Sequence, residues 1–147
     1  AAGVNKLVLF NTHGGQVGLL DPVARDLRAR LGMLAFSVNW FGLPLIDEQG
    51  QDVQARFSSQ EHRFGIHAGE IETSLMLHLH PHLVDLDKVC DHAPAQFPPY
   101  DFFPIKPEWT PASGCLSSAK RASAEHGETL LKVCVDGISR ELETAFD

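Results

Sequence analysis

Lys6-Leu7-Val8-Leu9-Phe10, then Asn11-Thr12-His13-Gly14-Gly15-Gln16, then helical apolar spacing over residues 19–30, is the stretch on which the fold turns. An apolar run that stops at a Gly-rich turn reads as a buried strand, and the spacing beyond it as a helix packed back on that strand. Leu34-Ala35-Phe36-Ser37-Val38 repeats the strand pattern and ends at Asn39-Trp40-Phe41-Gly42. Strand, helix and strand in this order predict a βαβ unit, and so a parallel sheet buried on both faces.

Beyond this unit, residues 47–63 are polar and carry Gln49, Gln51, Gln54 and Gln60, which predicts an exposed, partly helical excursion. His67-Ala68-Gly69-Glu70-Ile71-Glu72-Thr73-Ser74 leads into Leu75-Met76-Leu77-His78-Leu79, a helix that starts at the Gly-to-Glu step and ends at or just after Pro81. Prolines 94, 98, 99, 104, 107 and 111, interleaved with Phe97, Tyr100, Phe102, Phe103 and Trp109, predict an irregular loop over about 92–113 that forms a lid or a subunit contact. Residues 119–146 return to helical spacing and predict a long amphipathic C-terminal helix. No internal repeat interrupts what length alone predicts to be a single domain over 1–147.

Composition narrows the function classes. With 44% hydrophobic and 21% charged residues the chain has a globular balance, and a net charge of −7 with 12 Lys and Arg excludes a surface built to grip a phosphate backbone. Cys90, Cys115 and Cys134 form no CxxC pair and are odd in number, so they read as reduced thiols of a cytoplasmic protein. No apolar run is long enough to span a membrane, and no basic-then-apolar leader is visible. The chain opens Ala1-Ala2-Gly3 directly ahead of a buried strand, which places the expected start upstream.

Two segments could carry chemistry. His13 follows a buried strand and precedes two glycines, at the carboxyl end of a strand where open α/β sheets gather ligands; it is either a metal or substrate ligand, or a turn histidine beside glycines needed only for positive φ. In the second segment His67, Glu70 and Glu72 gather at the mouth of a helix, where His67 and Glu70 share a face if the turn is helix-like and Glu72 points elsewhere. The alternative there is that the two glutamates complement the helix dipole while Thr73 and Ser74 serve as small packing residues. His78, His80 and His82 read as surface residues, since alternate helix positions face about 200° apart. No G-x-S-x-G elbow is present, and Cys115, in the loop turn Ser113-Gly114-Cys115, is a weak nucleophile candidate.

Taken together these blocks resemble the creatininase (creatinine amidohydrolase) family, whose members carry an N-G-H-G-G-N loop and an H-A-G-E-x-E-T-S block. Here they stand as Asn11 to Gln16 and His67 to Ser74, and the order continues through Pro81-His82-Leu83-Val84, Ser113-Gly114 and Ala122-Ser123-Ala124-Glu125-His126-Gly127-Glu128. Thr12 stands in place of the family's glycine, Gln16 in place of its asparagine, and Ser117-Ser118 where Gly-Asp is usual.

The resemblance implies a three-layer α/β/α domain with a mostly parallel sheet, here without the family's N-terminal strands. It implies metal-dependent hydrolysis of non-peptide C–N bonds in an amide or cyclic amide, at a pair of divalent ions that could be Zn, Mn or Fe. His13 would ligate metal, with Glu70 as first and Glu72 as second choice for a further carboxylate ligand; His67 would transfer the proton. Trp40, with Gly14 and Gly15, would contact substrate. The family's E-x-H-G-x-H segment and the Asp after it, which supply most ligands, have no counterpart here, so the chain alone would hold metal weakly or singly and would expose a sheet edge. A homo-oligomer, up to a hexamer, is the assembly the resemblance implies. The competing expectations are a catalytically inactive structural or oligomerisation module of the same fold, and a small-molecule binding protein that needs no metal.

Overall fold

The computed structural model describes residues 3–65, 67–89, 91 and 111–146, apart from the side chains of 63 and 64. The expected Pro-rich loop thus lies, up to residue 110, outside the described residues, as does Cys90. The chain falls into two compact units, Ala1–Pro44 with Gly137–Asp147, and Leu45–Asp136.

In the first unit β1 (Lys6–Asn11) and β2 (Leu34–Asn39) pair in parallel, Lys6 opposite Leu34 through to Asn11 opposite Asn39. Helix α1 (Val17–Leu31) connects them, as the βαβ pattern predicts, and starts two residues earlier than the apolar spacing does. It ends where Gly32 takes a left-handed φ of 62° and donates its N–H to the Arg28 carbonyl, the usual glycine stop. Ala24 on α1 and Ala35 on β2 are fully buried, so small side chains let the helix lie close on the sheet. Among the described residues each strand pairs only with the other, and Phe10 and Leu34 remain 41% and 43% exposed. A two-stranded sheet is marginal by itself, and among the described residues each strand keeps one edge that no strand covers.

The second unit corrects the expectation of an exposed excursion. Leu45, Val53 and Phe57 are buried with Leu116, Leu130 and Val133, so part of residues 47–63 is core. Two helices follow, α2 (Ser59–Phe64) and α3 (Glu70–Leu79), the latter starting at the Gly69-to-Glu70 step. The last helix, α4 (Ala124–Phe146), begins five residues later than the periodicity indicates. Its start is set by Ser123, whose Oγ accepts from the His126 N–H at 3.1 Å. No described helix is long and apolar enough to cross a membrane.

Candidate functional site

Asn11 closes β1 and is fully buried. Its Nδ2 donates to Asn39 Oδ1 at 2.7 Å, tying together the carboxyl ends of both strands, while its Oδ1 accepts from the His13 N–H at 3.1 Å. This second bond is an Asx turn, which aims the chain out of the strand at His13. Neither Gly14 nor Gly15 has positive φ, so the conformational reason for the glycines fails. At Gly15 the reason is proximity: a Cβ there would lie 3.1 Å from His13 Nε2 and 3.2 Å from Cδ2. Gly15 thus leaves room for the His13 ring. Trp40 follows β2 in a single 3-10 turn, Trp40–Gly42, with its ring edge-on to Phe41 at 5.7 Å.

In the second unit the His67 block is held by a swapped pair of caps. Ser58-Ser59-Gln60-Glu61 spells a capping box, in which Glu61 would reach back to the Ser58 N–H. Ser58 Oγ does accept from the Glu61 N–H at 3.2 Å, but the Ser58 N–H donates instead to Glu70 Oε2 at 3.2 Å, on α3. Glu61 in turn leaves its own helix: Oε1 accepts from the Ile71 N–H at 2.8 Å and Oε2 from Ser117 Oγ at 2.5 Å. Each helix start therefore receives a carboxylate from the other helix, while α2 keeps its own Ser58 cap. Gly69, the N-cap of α3, has no side chain to offer, and a Cβ there or at Gly65 would run into the Glu61 carboxylate.

The connection between α2 and α3 carries His67. Ala68 takes φ 53°, left-handed and rare for a residue with a Cβ, and donates its N–H to Glu72 Oε2 at 2.6 Å. The His67 carbonyl accepts from the Leu116 N–H at 3.1 Å. Because this turn is not helical, His67 and Glu70 do not share a face: His67 is exposed, whereas Glu70 is 1% exposed. Glu70 Oε1 has no hydrogen-bond partner among the described residues, and the mostly exposed Arg121 lies 3.8 Å away through Nε. Glu72 instead borders a cleft of about 400 Å³, with Ala68, Met76, Val84, Lys88 and Cys115 on its walls.

Two of the small residues in these blocks have structural work. Ser74 Oγ donates to the Glu70 carbonyl at 2.6 Å and accepts from the Ser123 N–H at 3.1 Å, joining α3 to the start of α4. At Gly127 a Cβ would sit 2.5 Å from the Ser74 carbonyl carbon and closer still to its oxygen, so glycine is what allows the two helices to touch. Ser117, at a departure from the family pattern, is fully buried and satisfied by Glu61. Sequence reading missed Glu61 altogether; the signal available was the S-x-x-E spelling, which points to its own helix rather than to α3. Among the described residues no three His, Cys, Asp or Glu side chains converge to hold a metal ion. His13, with Trp40, Gly14 and Gly15, belongs to one unit, and His67, Glu70 and Glu72 to the other.

Residues 1–142 match the sequence profile described as "Creatininase: Creatinine amidohydrolase". The creatinine amidohydrolase of Pseudomonas putida is 61% identical over 80 residues, 54% of this chain and 31% of that protein. A solved mutant creatininase of Zn-Zn type is similar at TM-score 0.75 and 40% identity, covering 98% of this chain and 57% of that one. A solved "Creatininase Mn" gives TM-score 0.74 at 40% identity, covering 98% and 58%. The chain thus spans about a third of that curated relative and less than three-fifths of these solved chains.

Proposed function

The chain belongs to the creatininase family, with the α/β fold of that family, and from this premise we propose that it forms part of a metal-dependent amidohydrolase acting on a cyclic amide such as creatinine. The observation that carries the reading is the loop bearing His67: a left-handed Ala68, pinned to Glu72, beside a cleft. Backbone strain of this kind costs about 1–3 kcal/mol and persists where surrounding structure enforces it, characteristically at functional sites. No support for the inactive-module reading comes from the comparisons.

Donor chemistry fits divalent ions in type though not in number. Taken one unit at a time, the imidazole of His13 and the carboxylate of Glu72 are each donors of a type that suits Zn or Mn, the metals named for the two similar solved structures; Fe suits the same donor types. Glu72 is the better ligand candidate than Glu70, because it borders the cleft while Glu70 is buried and caps Ser58. Among the described residues these donors do not gather into a set of three, so the reading asks for donors beyond His13 and Glu72. When bound, divalent ions supply Lewis acidity to an amide carbonyl and acidify water.

This chain's own residues do the rest. The exposed imidazole of His67 protonates the leaving nitrogen, general-acid work that a positioned histidine performs more often than any other side chain. Trp40 covers the substrate from its turn after β2, and Gly14 and Gly15 let the backbone approach it. A homo-oligomeric assembly completes the reading, resting on the family resemblance and on sheet edges that no described strand pairs; a cytoplasmic location rests on the cysteine pattern. The test is creatinine hydrolysis by the full-length protein loaded with Zn or Mn, together with His67→Ala. We expect turnover, with kcat reduced about 100-fold or more in the variant; turnover unaffected by His67→Ala refutes the proton-transfer role.

A further inference from the structure

We propose that Glu61 is a positioning residue for this site, and that it acts by holding the loop that presents His67 rather than by touching substrate. Glu61 is 3% exposed, so it has no route to a ligand in solvent. Both of its oxygens are committed, one to the Ile71 N–H and one to Ser117 Oγ. Ile71 is the second residue of α3, where a helix has unsatisfied donors and a favourable dipole for an anion; a carboxylate arriving from α2 fixes that end. Two glycines, Gly65 and Gly69, leave the space that the carboxylate fills.

The consequence falls on residues 65–72. Gly65, Gly69 and Ile71 all lie against the Glu61 carboxylate, and Gly65 donates its N–H to the Glu61 carbonyl at 2.8 Å. Between Gly65 and Gly69 come His67, held through its carbonyl by Leu116, and Ala68, whose left-handed conformation is costly for a residue with a Cβ. Remove the carboxylate, and Ile71 loses its acceptor while two glycine-lined gaps open beside Ala68. The loop then has little reason to keep Ala68 left-handed, and the His67 imidazole loses its fixed direction. Proton transfer depends steeply on direction, so an error of about 1 Å can cost on the order of 100-fold in rate. Substrate affinity should change little, since Glu61 contacts none.

The inference rests on the proposed role of His67, and its test separates the two. Glu61→Gln keeps an oxygen for Ile71 and an amide that can bond Ser117, whereas Glu61→Ala keeps neither. In the full-length protein loaded with Zn or Mn, Glu61→Ala should lower kcat for creatinine about 10- to 100-fold with KM within about threefold, and Glu61→Gln should recover most of it. Amide exchange supplies the second readout and needs no activity: the Ile71 and Ala68 amides should exchange at least about tenfold faster in Glu61→Ala, with the α4 amides unchanged. If Glu61→Ala is insoluble, Gly69→Ala substitutes for it, because its Cβ drives the carboxylate away from Ile71. Unchanged kcat in a folded Glu61→Ala, a Gln variant as impaired as Ala, or equal exchange at Ile71 overturns the proposal. Faster exchange at Ile71 in a protein that shows no creatinine turnover would retain the loop-holding role and reject only the substrate reading.

Discussion

Gly127→Ala places a methyl group where two helices touch. Its Cβ would lie 2.5 Å from the Ser74 carbonyl carbon and closer still to the oxygen, against the 3.4 Å at which ordinary contact begins, so α3 and α4 must separate by more than about 1 Å there. The obstacle is backbone on both sides, which no rotamer change can relieve. Overpacking of this kind costs about 3 kcal/mol, and separation also strains the 3.1 Å bond from the Ser123 N–H to Ser74 Oγ, worth about 1 kcal/mol. Replacing a helical glycine by alanine returns about 1 kcal/mol. The net expectation is about 3 kcal/mol of destabilisation, a fall in Tm of about 6–12 °C for a protein of this size. Gly137→Ala is the internal control, since a Cβ there meets Leu43 at an ordinary 3.6 Å and only the helical gain of about 1 kcal/mol remains. Urea unfolding followed by far-ultraviolet circular dichroism gives both values. Gly127→Ala at or above the parent midpoint would refute the account of the α3–α4 contact.

Further expectations concern single contacts. Asn11→Ala strands the His13 N–H and Asn39 Oδ1 at a fully buried position and should cost about 2–3 kcal/mol in the same unfolding assay. Gly15→Ala presses on the tip of a movable ring, so stability should change by less than about 1 kcal/mol while affinity of the full-length protein for Mn, measured by calorimetry, drops about tenfold. Burial pushes the Cys134 thiol up to about 11, leaving about one thiolate in a thousand at pH 8, so iodoacetamide should modify Cys134 only slowly at that pH and faster as pH rises toward that value. Lys132 lowers the Glu48 pKa, first through its hydrogen bond and then through its charge. A lowered carboxylate stabilises the fold above its ordinary value of 4.5 and loses that effect as pH falls through the folded value. The stability difference between Lys132→Ala and the parent should therefore shrink on acidification and in high salt, as titrations of unfolding midpoint against pH and NaCl would report.

Local pattern made the βαβ unit, the start of α3 at Gly69–Glu70 and an amphipathic α4 legible, because strand and helix periodicities and chain breaks are properties of neighbouring residues. It also picked out His13 and His67, each beside glycines. What it could not supply was which carboxylate faces which way. Glu70 and Glu72 lie about 200° apart around α3, and only the packing of α2 against that helix decides that Glu70 is buried while Glu72 borders a cleft. Glu61 is the clearer case. Its spelling is that of a local cap, yet its carboxylate serves a helix ten residues on and a serine 56 residues on, at distances along the chain that no periodicity encodes. The sequence by itself determined the βαβ unit, α3 and α4, and named His13, His67, Glu70 and Glu72 as candidates for chemistry. Tertiary structure decided their orientation and their caps, since the pairing of a buried charge depends on which groups lie within about 3 Å of it in space, whatever their separation in the chain.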